Sequence, residues 1–398
     1  MLARFQFLLL NIAHFLDHLF MLLFATLAAL TLATEWQLDY AQLILYATPG
    51  FIAFGAFALP AGWLADRWNR HGMMVVFFIG VGVSSILCAL ADSPLQMSLG
   101  LFCIGVFAAI YHPVGIALVL DNGKRNGLRI AVNGVWGNMG VACAAFLAAF
   151  FIDHGGWRAA FVVPGICSIV LGVIYLFIVR ATRQPAPESA ASVSKADKIP
   201  EFNHRLLIRV LVVVFLTTAL GGLVFQSTTF ALPRVLAERV TSVSDSTVLI
   251  GQLAFVAFFA GSMGQLVVGY LLDRISIRTV FLSVSAMQAV FFALAITATD
   301  KLAIVAAIGY MLAAFGQIPI NDVLIGRVSQ PGYRSRILGI RYTITIMVMA
   351  MSIPLISSVH HNHGFDALFN ILVAAAVLIF VAAYTLPAHR LINRQPAV

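Results

Sequence analysis

The chain has 398 residues, of which 61% are hydrophobic and only 10% are charged, and its formal net charge is +8. Soluble domains carry about 25% charged residues, so this composition excludes a soluble fold with an ordinary polar surface and predicts an all-α membrane protein. The positive charge is better explained by basic cytoplasmic loops than by nucleic-acid binding, because no nucleic-acid motif accompanies it.

Twelve segments are apolar enough to cross a bilayer, which takes roughly 20 residues per helix. We predict transmembrane helices at residues 5–32, 41–65, 72–91, 95–120, 128–152, 159–180, 205–232, 247–272, 279–298, 301–325, 336–358 and 365–387. Polar residues interrupt the first segment and no small-residue cleavage site follows it, so we expect it to be retained as helix 1 rather than removed as a signal peptide.

Helix 1 carries four polar residues on one face: Asn11, His14, Asp17 and His18 lie within about a 120° arc at 100° per residue. Inserting an aspartate at mid-helix costs about 2.5–3.5 kcal/mol, so it is expected to face water, a partner or a substrate. We predict that Asp17 exchanges a proton, that His14 and His18 adjust its proton affinity or bind substrate, and that Asn11 contacts substrate.

Two other interpretations of this face stay open. The same side chains could form a hydrogen-bonded cluster that packs helix 1 against a neighbour. Histidines four residues apart can also share a metal ion, with Asp17 as a further ligand and His112 as a fourth if helices 1 and 4 meet. Because there is no second cluster, we predict that no metal is bound.

Helices 4 and 5 add further candidates for substrate contact. His112 precedes Pro113, whose kink leaves a backbone carbonyl for a polar side chain to serve. Helix 5 contains Asn133, Trp136 and Asn138 among glycines whose spacing favours close helix contact. Each of these polar residues has a packing interpretation beside the functional one.

A polar stretch rich in Ala, Ser, Pro and charge separates two sets of six predicted helices. We predict a six-helix bundle at 1–180, a cytoplasmic linker at 181–204 and a second six-helix bundle at 205–398. The two halves share a motif, since GWLADR at 62–67 follows helix 2 and GYLLDR at 269–274 follows helix 8. Such internal repeats are typical of secondary transporters.

The second half has fewer buried charges. Gln226 is a single polar residue in helix 7, predicted to contact substrate or to bond across helices. Asp322 ends helix 10 and Arg341 lies near the start of helix 11, at similar depth on antiparallel neighbours. We therefore predict an ion pair between them, acting as a cytoplasmic gate or, through Arg341, as a contact for an anionic substrate. The histidines at 360, 361 and 363 are expected in a solvated outer loop.

Lysine and arginine set the orientation. With the N-terminus inside, most of the 24 basic residues fall on the cytoplasmic side. The outer side then keeps Arg158, Arg234, Arg239 and Lys301. We therefore predict a multi-pass protein of the inner cell membrane with both termini in the cytoplasm.

The duplicated loop resembles the signature of the major facilitator superfamily, G-x-x-x-D-[RK]-x-G-[RK]-[RK], although Asn69 stands where that family prefers glycine. This resemblance implies two pseudo-symmetric six-helix bundles. It also implies that Asp66 and Arg67 form ion pairs and cap helix ends across the halves in the outward-facing state. Asp273 and Arg274 would do the same in the second copy.

A narrower resemblance is to the fosmidomycin-resistance branch of that superfamily. The residues that carry it are a histidine followed by an acid in helix 1, Tyr111-His112-Pro113 in helix 4 and Gly137-Asn138-Met139-Gly140 in helix 5. That branch implies drug efflux driven by proton entry.

We therefore expect a monomeric secondary transporter that moves a small organic molecule outward in exchange for protons. No nucleotide-binding G-x-x-x-x-G-K-[ST] motif is present, so ATP is not the expected driver, and we expect no cofactor and no enzymatic activity.

One alternative is a transporter of an organic anion or of a metal ion or complex, which would use Arg341 and the histidines of helix 1. A membrane enzyme or a sensory receptor is a more distant alternative, since neither a nucleophile–base constellation nor a soluble output domain is evident.

Overall fold

In a computed structural model of the protein, residues 2–121, 126–182, 204–243, 246–328 and 331–386 are described, and these ranges are helical without a β-strand. The apolar composition accounts for this architecture. In a bilayer no water satisfies the backbone polar groups, and a helix pairs all of them within one segment.

Eleven continuous helices within the described ranges are long and apolar enough to cross a membrane. The first ten, α1–α10, span Arg4–Glu35, Tyr40–Arg67, Arg70–Ala89, Pro94–Val119, Asn126–Gly155, Trp157–Thr182, His204–Arg239, Thr247–Leu272, Ile277–Thr297 and Asp300–Val328. The eleventh, Pro331–Tyr384, has 54 residues.

This last helix contains two spans. At 1.5 Å per residue it would be about 80 Å long, more than twice the roughly 30 Å of a hydrocarbon core. Gly364 interrupts it with φ 69° and ψ −171°, values that leave the helical region. We therefore treat 331–363 as α11 and 365–384 as α12, and the predicted twelve-helix architecture is confirmed.

The largest boundary difference is at α7, which continues past Pro233 to Arg239 instead of ending at 232. A membrane helix tolerates an internal proline because neighbouring helices satisfy the freed carbonyl. The predicted linker at 181–204 lies almost wholly outside the described residues, so the boundaries of the two halves stay a prediction.

Helix packing repeats between the first six helices and the last six. In the first set α1 packs on α5, α2 on α4 and α3 on α6. The second set has the same pairings: α7 on α11, α8 on α10 and α9 on α12. The two sets meet where α5 packs on α8 and α2 on α11, and the seam between them holds the candidate site.

Candidate functional site

A cavity of about 170 Å³ lies between the two sets of helices. Its volume accommodates on the order of ten waters, or a small organic molecule. One wall carries His18 of α1, Phe54 of α2 and His112 of α4. The opposite wall is formed by α7, α10 and α11 and carries Thr217, Thr218, Gln317, Asn321, Arg341, Tyr342 and Thr345 among apolar residues.

Contacts across the seam close one end of the molecule, which we call the sealed end. His361 Nδ1 of α11 lies 3.1 Å from Asp39 Oδ2 just before α2. Arg234 of α7 places its guanidinium 5.2 Å from the Tyr40 ring centre. Near the same end, a Cβ on Gly251 of α8 would approach the Ala149 Cβ of α5 to 2.5 Å, so these helices touch closely.

Behind the first wall, Asn133 of α5 joins three helices. Its amide Nδ2 donates to Asn11 Oδ1 of α1 at 2.9 Å and lies 2.8 Å from the Tyr111 hydroxyl of α4. Its backbone carbonyl accepts a 2.8 Å hydrogen bond from His14 Nδ1, which places the His14 ring proton on Nδ1. Asn11 and Asn133 are both buried and belong to this supporting network, outside the cavity lining.

Asp17 and His112 form the most polar contact on this side. Asp17 Oδ2 lies 3.4 Å from His112 Nε2, an ion pair when the ring is protonated. Neither carboxylate oxygen has a hydrogen bond within the described ranges. The Asp17 side chain is 0% exposed and that of His112 is 25% exposed, so water in the cavity reaches the histidine but not the aspartate.

Local backbone structure aims His112 into the cavity. Tyr111–Gly115 is a π-helical turn, and Pro113 within it has no N–H to donate. Widened turns of this kind re-aim side chains and are frequent at functional sites. His112 has no contact with a freed carbonyl: its Nδ1 has no hydrogen-bond partner within the described ranges and its Nε2 faces Asp17.

Glycines let α1 approach α5 closely enough to build the cluster. A Cβ on Gly137 would lie 2.6 Å from His14 Nε2, and one on Gly140 would lie 2.1 Å from the Phe15 carbonyl oxygen. Any larger residue would separate the helices. The close contact expected from the glycine spacing in helix 5 is therefore present.

The three histidines of the first wall could in principle serve one metal ion. Ligand nitrogens of His14, His18 and His112 lie within 4.8 Å of one another. Tetrahedral zinc with bonds of 2.0–2.1 Å requires nitrogens only about 3.3 Å apart. The cluster can therefore supply the donor atoms, but it has a wider spacing than a bound ion would impose.

The second wall holds its polar groups in a network. Gln317 of α10 accepts from Gln288 Nε2 of α9 at 2.8 Å and donates to the Thr217 carbonyl of α7 at 3.2 Å. The Thr217 hydroxyl donates to Asn321 Oδ1 at 3.0 Å, and Asn321 Nδ2 donates to the Thr218 hydroxyl at 3.4 Å. These residues were not among the predicted site residues; the spacing of Gln317 and Asn321 on one face of α10 was the available signal.

The predicted ion pair between Asp322 and Arg341 is present, with Arg341 Nη1 donating to Asp322 Oδ1. Arg341 lines the cavity and its side chain is 9% exposed, whereas that of Asp322 is 39% exposed. Arg341 Nε is buried and has no acceptor within the described ranges. The pair therefore satisfies only part of the guanidinium.

Other predicted contact residues lie away from the cavity lining. Asn138 of α5 donates to Gln265 Oε1 of α8 at 2.5 Å, which joins the two sets of helices. Gln226 of α7 is fully buried, and its side-chain atoms have no hydrogen bond within the described ranges. Trp136 is partly buried on α5. None of the three is among the residues that line the cavity, and their substrate contact stays a prediction.

The duplicated motif makes local contacts. Asp66 pairs with Arg70 at 3.0 Å, and the Arg67 guanidinium lies over Trp63. Asn69 is extended at φ −171° and caps α3 by accepting from the His71 N–H, so this turn does not require the glycine of the family pattern.

In the second copy of the motif, Asp273 ends α8 and Arg274 lies over Tyr270. The contacts predicted across the halves for Asp66, Arg67, Asp273 and Arg274 belong to the outward-facing state and stay predictions.

Sequence comparison places the chain among known transporters. The family model described as Major Facilitator Superfamily matches residues 10–321. A gallate transporter of Pseudomonas putida is 23% identical over 273 residues, which cover 61% of this chain and 60% of the relative. The 4-hydroxybenzoate transporter PcaK of Pseudomonas aeruginosa is 24% identical over 270 residues, with 61% and 60% covered. The chain thus spans about three fifths of the length of these relatives.

Structural comparison gives the same fold. The inward-facing, occupied structure of a bacterial homologue of the human lysosomal transporter Spinster matches with a TM-score of 0.75. It is 16% identical in sequence, and the match covers 96% of this chain and 95% of that one. At this identity the likeness shows the fold and carries no information on what is bound.

Proposed function

Because this chain belongs to the Major Facilitator Superfamily, we propose that it is a secondary transporter that moves a small organic molecule by alternating access and couples that movement to protons. The observation that carries the proposal is the Asp17–His112 pair. A wholly buried carboxyl group lies 3.4 Å from a histidine that lines the central cavity.

The pair links a buried group, Asp17, to a group that lines the water-accessible cavity, His112. With one shared proton the two groups are either a carboxylate beside an imidazolium or a carboxylic acid beside a neutral imidazole. Loss of that proton leaves an unpaired carboxylate in apolar surroundings, which costs several kcal/mol. Proton release is therefore favourable only in a conformation that admits water or a new partner to Asp17. His112, which is the exposed member, is the route by which the proton enters or leaves.

The predicted orientation assigns the conformation. With the N-terminus in the cytoplasm, the sealed end faces outward and the cavity is reached from the cytoplasmic side. The structure would then be an inward-facing state of a multi-pass protein of the inner cell membrane. Asp66, Arg67, Asp273 and Arg274 would lie at the cytoplasmic ends of the helices, where closure in the outward-facing state brings the two sets together.

We propose export as the direction, with the substrate leaving in exchange for entering protons. The support is the resemblance to the fosmidomycin-resistance branch in helices 1, 4 and 5. The curated relatives are named for gallate and 4-hydroxybenzoate, which makes small aromatic acids the first compounds to test. In vesicles of known protein orientation, substrate should move against the direction of proton flow. Movement of substrate in the same direction as the protons would contradict export.

The coupling is tested in proteoliposomes containing the purified chain, a trapped pH dye and a radiolabelled aromatic acid. Wild type should transport faster when a pH gradient is imposed. The Asp17→Asn variant should lose this acceleration while retaining substrate exchange in the absence of a gradient, and His14→Ala should weaken it.

Asp92→Asn is the matched control, because Asp92 lies at the sealed end and pairs with Arg158. This variant should behave as wild type. Normal gradient-driven transport by Asp17→Asn would overturn the proposal.

A further inference from the structure

We infer that the cavity binds its substrate through an anionic group, a carboxylate or a phosphate, held by Arg341, and that Asp322 occupies this position while the cavity is empty. This inference rests on the proposed transport function and names the substrate class of the same cavity. It requires nothing of the proton pair on the opposite wall.

Charge is the first argument. Arg341 is the one permanently charged residue among the described residues that line the cavity; the others are neutral or are histidines. A guanidinium stays protonated under all physiological conditions. A buried cation inside a membrane is stable only with a counter-anion, so the cavity selects for a molecule that supplies one.

The second argument is the incomplete satisfaction of Arg341. Its Nη1 donates to Asp322, but its buried Nε has no acceptor within the described ranges. Arginine has five N–H donors in a rigid fork that matches the two oxygens of a carboxylate or phosphate. The Nε edge of that fork is therefore available to a second anion.

A similar pair at the sealed end shows what a purely structural arginine looks like. Arg239 pairs with Asp366. As in the Arg341–Asp322 pair, the arginine side chain is largely buried, at 12% exposed, and the aspartate side chain is the exposed member, at 63%. Arg239 also donates to the backbone carbonyls of Ala295, Ile296 and Ala298. The Arg239 guanidinium is therefore held by three carbonyls as well as by Asp366. Besides Asp322, Arg341 contacts the ring of Tyr342, whose centre lies 5.3 Å from the guanidinium carbon, and it has no carbonyl contact within the described ranges.

Asp322 is suited to be displaced. It is the more exposed member of its pair, at 39% against 9% for Arg341, so it can return to water while the arginine stays in place. Removing the counter-anion of a buried arginine is costly, but here the incoming anion takes the place of Asp322 and leaves no charge unpaired. An incoming anion therefore replaces Asp322 at low cost and gains the Nε donor that Asp322 leaves unused.

The rest of the wall suits a compact, partly apolar body. The amides of Gln317 and Asn321 are fixed by their hydrogen bonds and present polar edges beside Arg341. Phe225 and Ile318 supply apolar surface next to them. The cavity of about 170 Å³ therefore offers a compact organic anion both polar and apolar surface beside Arg341.

Direct binding at constant pH tests the inference. Purified protein in nanodiscs is titrated with 4-hydroxybenzoate, its neutral analogue 4-hydroxybenzamide, and phenyl phosphate against phenol. We expect each anion to bind at least tenfold more tightly than its neutral partner, and the better anion distinguishes carboxylate from phosphate. If no anion in the panel binds more tightly than its neutral partner, the inference is wrong.

Variants separate substrate contact from structural support. Arg341→Gln should lose at least tenfold in anion affinity, and Arg341→Lys, which keeps the charge but not the fork, should fall between it and wild type. Asp322→Asn should bind the anion several-fold more tightly, because the internal competitor is removed. Asp366→Asn is the matched control and should bind as wild type.

A merely structural pair predicts the opposite pattern. Asp322→Asn would then bind no more tightly than wild type or would bind less well, and that result overturns the inference even if Arg341→Gln fails to fold. Asp17→Asn should keep anion binding. Loss of coupling in that variant therefore bears on the proposed function alone, and loss of anion selectivity bears on this inference alone.

Discussion

The two walls of the cavity differ in the kind of chemistry they present. The wall from α1, α2 and α4 offers histidines backed by Asp17, groups that gain and lose protons. The wall from α7, α10 and α11 offers amides, hydroxyls and a guanidinium, whose charges do not change near neutral pH. Under the proposed function, the first wall would carry the proton and the second would hold the substrate.

The walls are also held in place differently. The first depends on backbone spacing, since Gly137 and Gly140 of α5 let α1 approach. The second depends on side-chain hydrogen bonds that run from Gln288 through Gln317 to Thr217. Substitutions in the two walls should therefore fail in different ways.

The largest effect is expected from His112→Gln. Removing one partner of a buried ion pair costs about 3–5 kcal/mol. Because His112 is 25% exposed, we expect a loss at or just below the lower bound, a fall of about 100-fold in gradient-driven transport. Exchange of substrate without a gradient should persist, because the second wall is unchanged. Parallel proteoliposome assays of gradient-driven transport and of gradient-free exchange measure this. An equal loss in both would contradict the proposed separate roles of the two walls.

Gly140→Ala should destabilise the first wall. The new Cβ would lie 2.1 Å from the Phe15 carbonyl oxygen, and overpacking of this kind costs about 1–3 kcal/mol. Thermal melting followed by size-exclusion chromatography should show a clear drop in midpoint. Gly269→Ala is the control, since a Cβ there meets nothing within 4 Å; equal melting of the two variants would refute the spacing argument.

Gln317→Ala should weaken the second wall alone. It removes the 2.8 Å acceptor of Gln288 Nε2, which keeps only its 3.3 Å contact with the Ala313 carbonyl, and the donor to the Thr217 carbonyl. Lost buried hydrogen bonds of this kind cost about 1–3 kcal/mol, so apparent substrate affinity should fall about tenfold. The stimulation by a pH gradient at saturating substrate should stay as in wild type. If Gln317→Ala altered that stimulation as much as His112→Gln does, the two walls would not be separable.

The smallest effect is expected at the sealed end. His361→Ala removes a contact with Asp39 that is largely exposed, and such pairs contribute about 0.2–1 kcal/mol. The rate at which a thiol reagent labels a cysteine introduced at the sealed end should rise by no more than severalfold, without loss of folding. His363→Ala, in the same turn of chain, serves as the comparison; a complete opening in His361→Ala would show that the contact is worth far more than its exposure implies.

Much of the fold could be predicted because bilayer length and hydropathy determine the spans directly, and α8 agrees with its predicted range 247–272. The Asp322–Arg341 pair also followed from register, since antiparallel neighbours place residues equidistant from a turn at one depth. The end of α7 could not be predicted, because whether a helix continues past Pro233 depends on its neighbours.

The site was only half predictable. The polar face of α1 stands out because charge is rare in a membrane helix. The network of Gln288, Gln317 and Asn321 stands out much less. The spacing of Gln317 and Asn321 places both on one face of α10, but their partners lie about 30 to 100 residues away in sequence and the spacing does not identify them. Which of Asn133 and Asn138 supports His14 likewise depends on how α5 rotates against α1.

The sealed end has a consequence for turnover. One of its contacts across the seam, His361 with Asp39, is largely open to water, and such contacts release little free energy when they form. Breaking this contact therefore adds little to the free energy needed to open the sealed end. Under the proposed alternating access, a firmer lock would hold the carrier in one shape, whereas a weak contact leaves the occupant of the cavity to decide which shape persists.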